Sequence, residues 1–492
     1  MKTQPSFDQK ALEKYLWEAA VILRGTIDAG DYKQYIFPLM FFKRISDVYD
    51  EEFENALAES DGDLEFAAFA ENHHFQIPEG AHWTDVRETT TNIGSALQSA
   101  MRAIEQANPD TLEGIFGDAS WTNKDRLSDA MLTNLIEHYS QHTLDLKNVP
   151  DDKLGNAYEY LIKEFADDSG HTAAEFYTNR TVVKLMTMIM DPQPGESVYD
   201  PTCGSGGLLL NCALHLKDEG KEYRTLKLYG QEINLLTSAI ARMNMFMHGI
   251  EEFDIVRGNT LSNPGLLEND ELKKFNVILA NPPYSIKSWD RKAFESDPHG
   301  RNVWGTPPQG CADYAFQQHI QKSLDLGNGR SISLWPHGIL FRDAETEMRK
   351  KMIEQDQVEC VIGLGPNLFY NSPMEACLLI TKTNKEESKK GKVLIINAVK
   401  EVRQDKNIAY LEQSHIERIY KAYQSYDDQD GFSKVVTIDE VLKHKASLNM
   451  ALYVSNVDSS KVQISLDDAL ANWQTSSEQL SNSMDQLFKE LG

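Results

Sequence analysis

The chain has 492 residues, 41% of them apolar and 25% charged, and its 49 Lys and Arg against 75 Asp and Glu give a net charge of −26. That length supplies several domains and a large core without disulfide or metal staples, and excludes collagenous, disordered and mini-protein classes. The sign of the charge argues against an unaided grip on nucleic acid, because a duplex repels net negative charge.

The opening MKTQPSFDQKALEKY has no apolar run, and nothing later approaches the roughly 18 unbroken apolar residues of a membrane span. A soluble, cytoplasmic protein with no membrane contact is expected. Leu12, Leu16, Ala19 and Leu23 fall at helical spacing, and Tyr32, Ile36, Leu39 and Phe42 repeat it after Gly30-Asp31. Residues 1–150 carry 14 more acids than bases, and residues 51–80 hold nine acids with no Lys or Arg. That acidic run reads as a solvated face or a subunit contact. After Val149-Pro150 a further amphipathic helix is predicted, with Leu154, Ala157, Tyr158, Leu161, Ile162 and Phe165 on one face.

From residue 181 short apolar runs alternate with helix-length segments: 197–200, 226–229, 253–256, 275–280, 331–335, 358–364 and 377–381. This texture predicts an α/β domain built on a largely parallel sheet. Charge shifts with it, since residues 271–350 hold eleven bases and nine acids, and residues 381–400 hold six lysines and two glutamates. Leu470, Trp473, Leu480, Met484 and Leu487 mark a thinly apolar C-terminal helix suited to docking on something else. The expected division is a helical N-terminal domain (1–150), an α/β domain (151–455) and a C-terminal helical tail for subunit contacts (456–492).

In VYDPTCGSGGLLL (198–210) a short strand ends in Asp200, and Gly204, Gly206 and Gly207 let a ligand lie against the turn and the helix start. Leu209 stands where a dinucleotide fingerprint needs its third glycine, and the Gly-Lys-Ser/Thr of a Walker loop is absent. Asp200 suits a cationic or amine-bearing ligand instead. Glu232 closes the next strand, where α/β sites bind ribose hydroxyls. Asn281-Pro282-Pro283-Tyr284 follows the run 275–280. Its two prolines remove two donors and leave the Asn side chain and a free carbonyl as acceptors for both hydrogens of a planar amine, while the Tyr ring can stack on the base. Such an amine is a poor nucleophile until aligned acceptors favour its pyramidal form.

At these residues the sequence resembles the amino-methyltransferases that use S-adenosylmethionine. As a whole it resembles the modification subunit of type I restriction-modification systems, through residues 12–47, AEFYTNR (174–180), DPTCGSGG (200–207), GQEIN (230–234), NPPY (281–284), ADYAFQQH (312–319), WPHGILFR (335–342) and IGLGPNLFY (362–370). The resemblance implies a Rossmann-like S-adenosylmethionine-dependent methyltransferase domain that methylates the N6 amine of an extruded adenine in DNA. Phe176, Tyr177 and Thr178 would border the cofactor. Asp200, Pro201, Gly204, Ser205, Gly206 and Gly207 would hold its methionine part, Glu232 its ribose and Asn259 its adenine. Asn281 and Pro282, stiffened by Pro283, would accept from the target amine, and Tyr284 would stack on the base. Two positions depart from the family pattern: Asn179 stands where Pro is usual, and Asn259 where an acid is frequent.

No recognition helix, zinc finger or other sequence reader is evident, so the chain is expected to delegate target reading. The resemblance supplies a separate specificity subunit, a second methyltransferase subunit, double-stranded DNA bound through the complex, and a restriction subunit for cleavage. Cys203 reads as structural. The five cysteines form no metal or disulfide spacing, and His171, His299 and His337 lack the paired ligands of a metal site, so no metal is expected. Two alternatives stay open on the residues alone: methylation of a protein glutamine amide, which is also planar, and a scaffold without turnover.

Overall fold

A computed structural model of the chain describes residues 8–168, 178–369, 373–405, 408–454, 470, 473–478, 480 and 483–484. Eleven helices of eight residues or more lie among them: α1 (Gln9–Leu23), α2 (Lys33–Glu59), α3 (Ile93–Ala107), α4 (Asp129–Tyr139), α5 (Asp151–Asp168), α6 (Arg180–Met190), α7 (Gly207–Asp218), α8 (Leu235–Met247), α9 (Asp313–Ser323), α10 (Thr346–Glu354) and α11 (Gln413–Ser425). The strands of the main sheet are β1 (Ser197–Asp200), β2 (Lys227–Glu232), β3 (Phe253–Arg257), β4 (Val277–Ala280), β5 (Arg330–Pro336), β6 (Val358–Leu364), β7 (Ala376–Lys382), β8 (Lys392–Ala398) and β9 (Ser433–Thr437).

The N-terminal third is helical, as its periodicity predicts. Asp8 caps α1 by accepting from the Ala11 N–H at 2.8 Å. Leu12, Leu16, Ala19 and Leu23 all bury, as do Tyr32, Ile36, Leu39 and Phe42 and the predicted face of α5, Leu154, Ala157, Tyr158, Leu161, Ile162 and Phe165. The core of this module also takes in Ala239, Ile240, Met243 and Met247 of α8, which belongs to the sheet domain. Burial of Ile240, Met243 and Met247 contributes about 1.5–3 kcal/mol each, so packing rather than the linker joins the two parts. Arg44 secures the start of α5: its guanidinium donates to the Val149 carbonyl at 2.8 Å and to Asp151 at 2.7 Å. Part of the acidic run is internal bracing, since Glu51 accepts from the Leu146 N–H at 2.8 Å and Glu52 pairs with His74.

The sheet runs β9-β8-β6-β7-β5-β4-β1-β2-β3. Every predicted run becomes a strand with ends within three residues; the largest offset is at β2, which continues past Tyr229 to Glu232, and Phe275-Asn276 precede β4. β8 and β9 lie outside the predicted set. The sheet is largely parallel, as predicted, with two strands reversed: β7 runs antiparallel between β5 and β6, and β9 is antiparallel to β8, while the remaining five pairings are parallel. Alternation sorts the buried strands onto two faces. Val277 and Leu279 meet the layer of α6, α7, α8 and α11, and Ile278 and Ala280 meet α9. All five cysteines are buried and unlinked. No helix among the described residues is long and apolar enough to cross a membrane. Leu470, Trp473, Leu480 and Met484 are helical and exposed.

Candidate active site

β1 pairs with β2 on one side and β4 on the other, so the residues that follow these three strands emerge on one edge of the sheet. The chain order also reverses between β1 and β4, and open α/β sheets bind ligands at such a switch. Asp200, Glu232 and Asn281 meet there.

Asp200 is 1% exposed, and among the described residues no cationic side chain pairs with it. Burial pushes its carboxyl up to about 8; the nearby Glu232 charge adds to this, and a hydrogen bond from the Thr202 N–H, 3.0 Å away, opposes it. The following turn has Gly204 at φ +54° and Gly206 at φ +79°. A Cβ on Gly206 would stand 2.8 Å from Met245 Cε of α8, whereas one on Gly207 would meet nothing within 4 Å. The left-handed backbone is what favours glycine at 206, since the Met245 methyl can shift, and the surface at 207 is open to a ligand. Cys203 is a packing residue: its N–H donates to the Gln231 carbonyl at 2.9 Å, and its thiol fills the space where Gly230 lacks a Cβ. Burial raises that thiol well above its usual range and keeps it protonated.

The Glu232 carboxylate accepts from the Gly204 N–H at 3.1 Å and the Asn234 N–H at 2.8 Å, tying the end of β2 to the Gly-rich turn. Asn244 of α8, fully buried, donates to the Ser205 carbonyl at 3.0 Å, and Thr260 donates to the Pro201 carbonyl at 2.5 Å. Asn259 is exposed, and its Oδ1 accepts from the N–H groups of Leu261 and Ser262 at 3.0 and 3.2 Å. Arg301 braces this loop from the segment beyond the NPPY motif, donating to the carbonyls of Thr260 (2.8 Å) and Leu261 (2.7 Å) and pairing with Asp297.

Asn281 Nδ2 donates to Thr178 Oγ1 at 2.9 Å, and the Tyr284 hydroxyl donates to Asn281 Oδ1. The half-buried Tyr284 ring lies edge-on to Phe369 at 4.8 Å between centroids, with Trp335 at 6.4 Å. Pro282 is buried and Pro283 half-buried. Phe176, Tyr177 and His171 lie outside the described residues. Asn179 caps α6, accepting from the Thr181 N–H at 3.1 Å, and donates to the Ala409 carbonyl at 2.8 Å. At this departure from the family pattern, a capping side chain stands in place of a ring that fixes the backbone.

Sequence reasoning missed Asn244, Thr260 and Arg301, whose partners lie far along the chain. It also missed that His337 pairs with Glu375 at 2.9 Å, an acid no local spacing discloses; burial nonetheless holds that imidazole below its usual range. Among the described residues two side-chain groups have metal-ligand proximity. One is exposed at Asp191, His215 and Glu219; the other, Cys311, Asp313 and Glu345, already holds the Arg342 guanidinium.

The family described as N-6 DNA methylase matches residues 149–462, and the HsdM N-terminal domain matches residues 12–139. The methylase subunit of the type I restriction enzyme MjaVIII of Methanocaldococcus jannaschii is 31% identical, over 90% of this chain and 78% of that protein. The methylase subunit of the Mycoplasma pneumoniae type I enzyme MpnII is 28% identical, over 93% of this chain and 91% of its own length. Among solved structures, the methyltransferase subunit of a type I restriction-modification system from Streptococcus thermophilus superposes with a TM-score of 0.79 at 30% identity, covering 91% of this chain and all of that one. The chain therefore belongs to the N-6 DNA methylases, within the class of type I restriction-modification methyltransferase subunits, enzymes that methylate adenine N6 in DNA from S-adenosylmethionine.

Proposed function

We propose that this chain methylates an adenine flipped out of duplex DNA, as the catalytic subunit of a complex in which a separate specificity subunit reads the target. Flipping costs a few kcal/mol, and a stacking ring with two acceptors at a strand end is suited to repay it. The observation that carries the reading is Asn281: its amide nitrogen is tied to Thr178, which aims Oδ1 toward Tyr284 on the edge that also bears Asp200.

S-adenosylmethionine, when bound, supplies an electrophilic methyl group. The residues present fit it, since Asp200 is a buried acid with no cationic partner among the described residues and the glycine turn is open at Gly207. In this reading Asp200 holds positive charge, while Pro201, Gly204, Ser205, Gly206 and Gly207 lie along the methionine part. Glu232 accepts from the ribose, and Asn259 offers its amide nitrogen to the adenine. Phe176, Tyr177 and Thr178 border the cofactor. Asn281 Oδ1 and the Pro282 carbonyl accept from the target amine, Pro283 stiffens the turn, and Tyr284 stacks on the base. These residues would hold the amine in line with the methyl group, so that the N–C bond forms as the S–C bond breaks, S-adenosylhomocysteine leaves and the amine's proton passes to solvent, with no covalent enzyme intermediate.

The proposed division of labour gives residues 1–150 and the tail 456–492 to subunit contacts and residues 151–455 to chemistry, in a cytoplasmic assembly. Its partners are double-stranded DNA, a specificity subunit, a second methyltransferase subunit and a restriction subunit. The net charge of −26 suits this arrangement, because basic surface must come from elsewhere. Co-expression with the specificity partner, followed by mapping of N6-methyladenine, tests it: site-specific methylation is expected from the complex and weak duplex binding from the chain alone. Full methylation by Asn281→Ala in that complex would remove the role given to the NPPY motif.

A further inference from the structure

The residue after the NPPY motif has a backbone conformation that an L side chain rarely adopts. Ser285 sits at φ +52°, a strained region held only where its surroundings demand it. Its N–H donates to Asp313 Oδ1 at 2.8 Å. Asp313 is fully buried and is the first residue of α9, where the positive end of the helix favours a carboxylate. Its Oδ2 accepts from Arg342 Nη2 at 2.5 Å, and Arg342 Nε reaches Glu345 at 2.8 Å. One guanidinium thus fixes two buried carboxylates, and one of these fixes the peptide that follows Tyr284.

We propose that Asp313, held by Arg342, is a positioning residue that sets the aim of Tyr284 by locking Ser285 in its left-handed conformation; this rests on the reading of Tyr284 as the base-stacking residue. Tyr284 is then anchored at both ends, through its hydroxyl to Asn281 and through the next peptide to Asp313. Without the carboxylate, Ser285 relaxes toward negative φ and the ring swings away from its place beside Phe369. The segments 312–319 and 335–342 therefore meet in one ion pair behind the reacting edge, which gives their two charged residues a shared task.

The test uses the assembled complex, with S-adenosylmethionine affinity by calorimetry, methylation rate, and fluorescence of 2-aminopurine placed at the target adenine. In Asp313→Ala, cofactor affinity should stay within about twofold while kcat falls roughly tenfold or more, and the 2-aminopurine signal should depart from wild type. Asp313→Asn keeps an acceptor for the Ser285 N–H and should lose less. Adding Ser285→Gly to Asp313→Ala should restore part of kcat, because glycine adopts the left-handed region without a clamp. Parallel loss of cofactor affinity and rate, or no rescue by glycine, would reduce Asp313 to a structural role. Should Asp313→Ala fail to assemble, Asp313→Leu decides, because it fills the same space and offers no acceptor: unchanged kcat and 2-aminopurine signal in it overturn the clamp. Tyr284→Ala is the control. Wild-type methylation by it would sink the stacking reading itself, whereas a loss in Tyr284→Ala without one in the Asp313 variants sinks the clamp alone.

Discussion

The Tyr284 hydroxyl donates to Asn281 Oδ1, three residues earlier in the chain. The acceptor proposed for the target amine is thus already engaged by an internal donor, and an entering base must displace it. Tyr284→Phe frees that acceptor and keeps the ring. One neutral hydrogen bond is worth about 1 kcal/mol, so methylation by Tyr284→Phe should change by less than about fivefold. Base stacking on an aromatic ring is worth about 1–3 kcal/mol, so Tyr284→Ala should lower kcat/KM about five- to 150-fold. Steady-state methylation of a target duplex by the two variants in the complex separates the hydroxyl from the ring.

With Asp200 holding the positive charge of the cofactor as proposed, cofactor binding should depend on pH. Its folded-state pKa of about 8 lies above the ordinary carboxylate range, so the folded chain retains a proton that the unfolded chain has lost. The associated stability is complete at low pH and declines as pH rises toward about 8. A cation-bearing ligand favours the carboxylate and expels that proton. Affinity for S-adenosylmethionine should therefore rise between about pH 6 and about pH 8 and then level off, while Asp200→Asn should bind weakly with little such dependence. Calorimetry in buffers of different ionisation enthalpy reads the proton release directly.

Arg301 should matter to the cofactor without touching it. Its side chain and that of Asp297 are each 2% exposed, and breaking a buried pair from one side costs about 3–5 kcal/mol. Arg301→Met should lower the thermal midpoint and weaken cofactor binding, because the Thr260 and Leu261 carbonyls lose their donors. In Arg301→Met with Asp297→Leu the unpaired acid is gone, so the midpoint should recover. Cofactor affinity should not, and thermal unfolding with calorimetry distinguishes the two effects.

Asn179→Ala removes an N-cap and a buried hydrogen bond to Ala409. The cap is worth about 1 kcal/mol and the bond a similar amount, so the thermal midpoint should fall by a few degrees. Differential scanning calorimetry checks this.

What the sequence discloses follows the range of the interactions. Asp200, Glu232 and Asn281 are legible because each ends an apolar run beside glycine or proline, and strand-end chemistry is written within a few residues. Asp313 and Arg342 lie inside recognised motifs, yet their bond spans 29 residues and appears only when β5 and α9 pack. Arg301 carries no local signal at all, since its carbonyl partners lie 40 and 41 residues away. β8 escapes because its apolar run lies inside a stretch with six lysines that draws attention to charge, and β9 is a short edge strand with one exposed lysine.

The reversed strand β7 has a further consequence. Running antiparallel between β5 and β6, it starts at the edge where β4 ends, so Phe369 and Glu375, on the connection from β6, stand beside Tyr284 and His337. The turn residues after β1, β2 and β3 lie on the opposite flank. On the proposed reading, the sheet thereby puts most contacts of the methyl donor on one flank and those of its acceptor on the other, with the β1–β4 pairing as the seam. On that reading, substitution of Phe369 or Glu375 reshapes the pocket for the base while the glycine turn after β1 keeps its geometry, which gives the two flanks of the site separate routes to change.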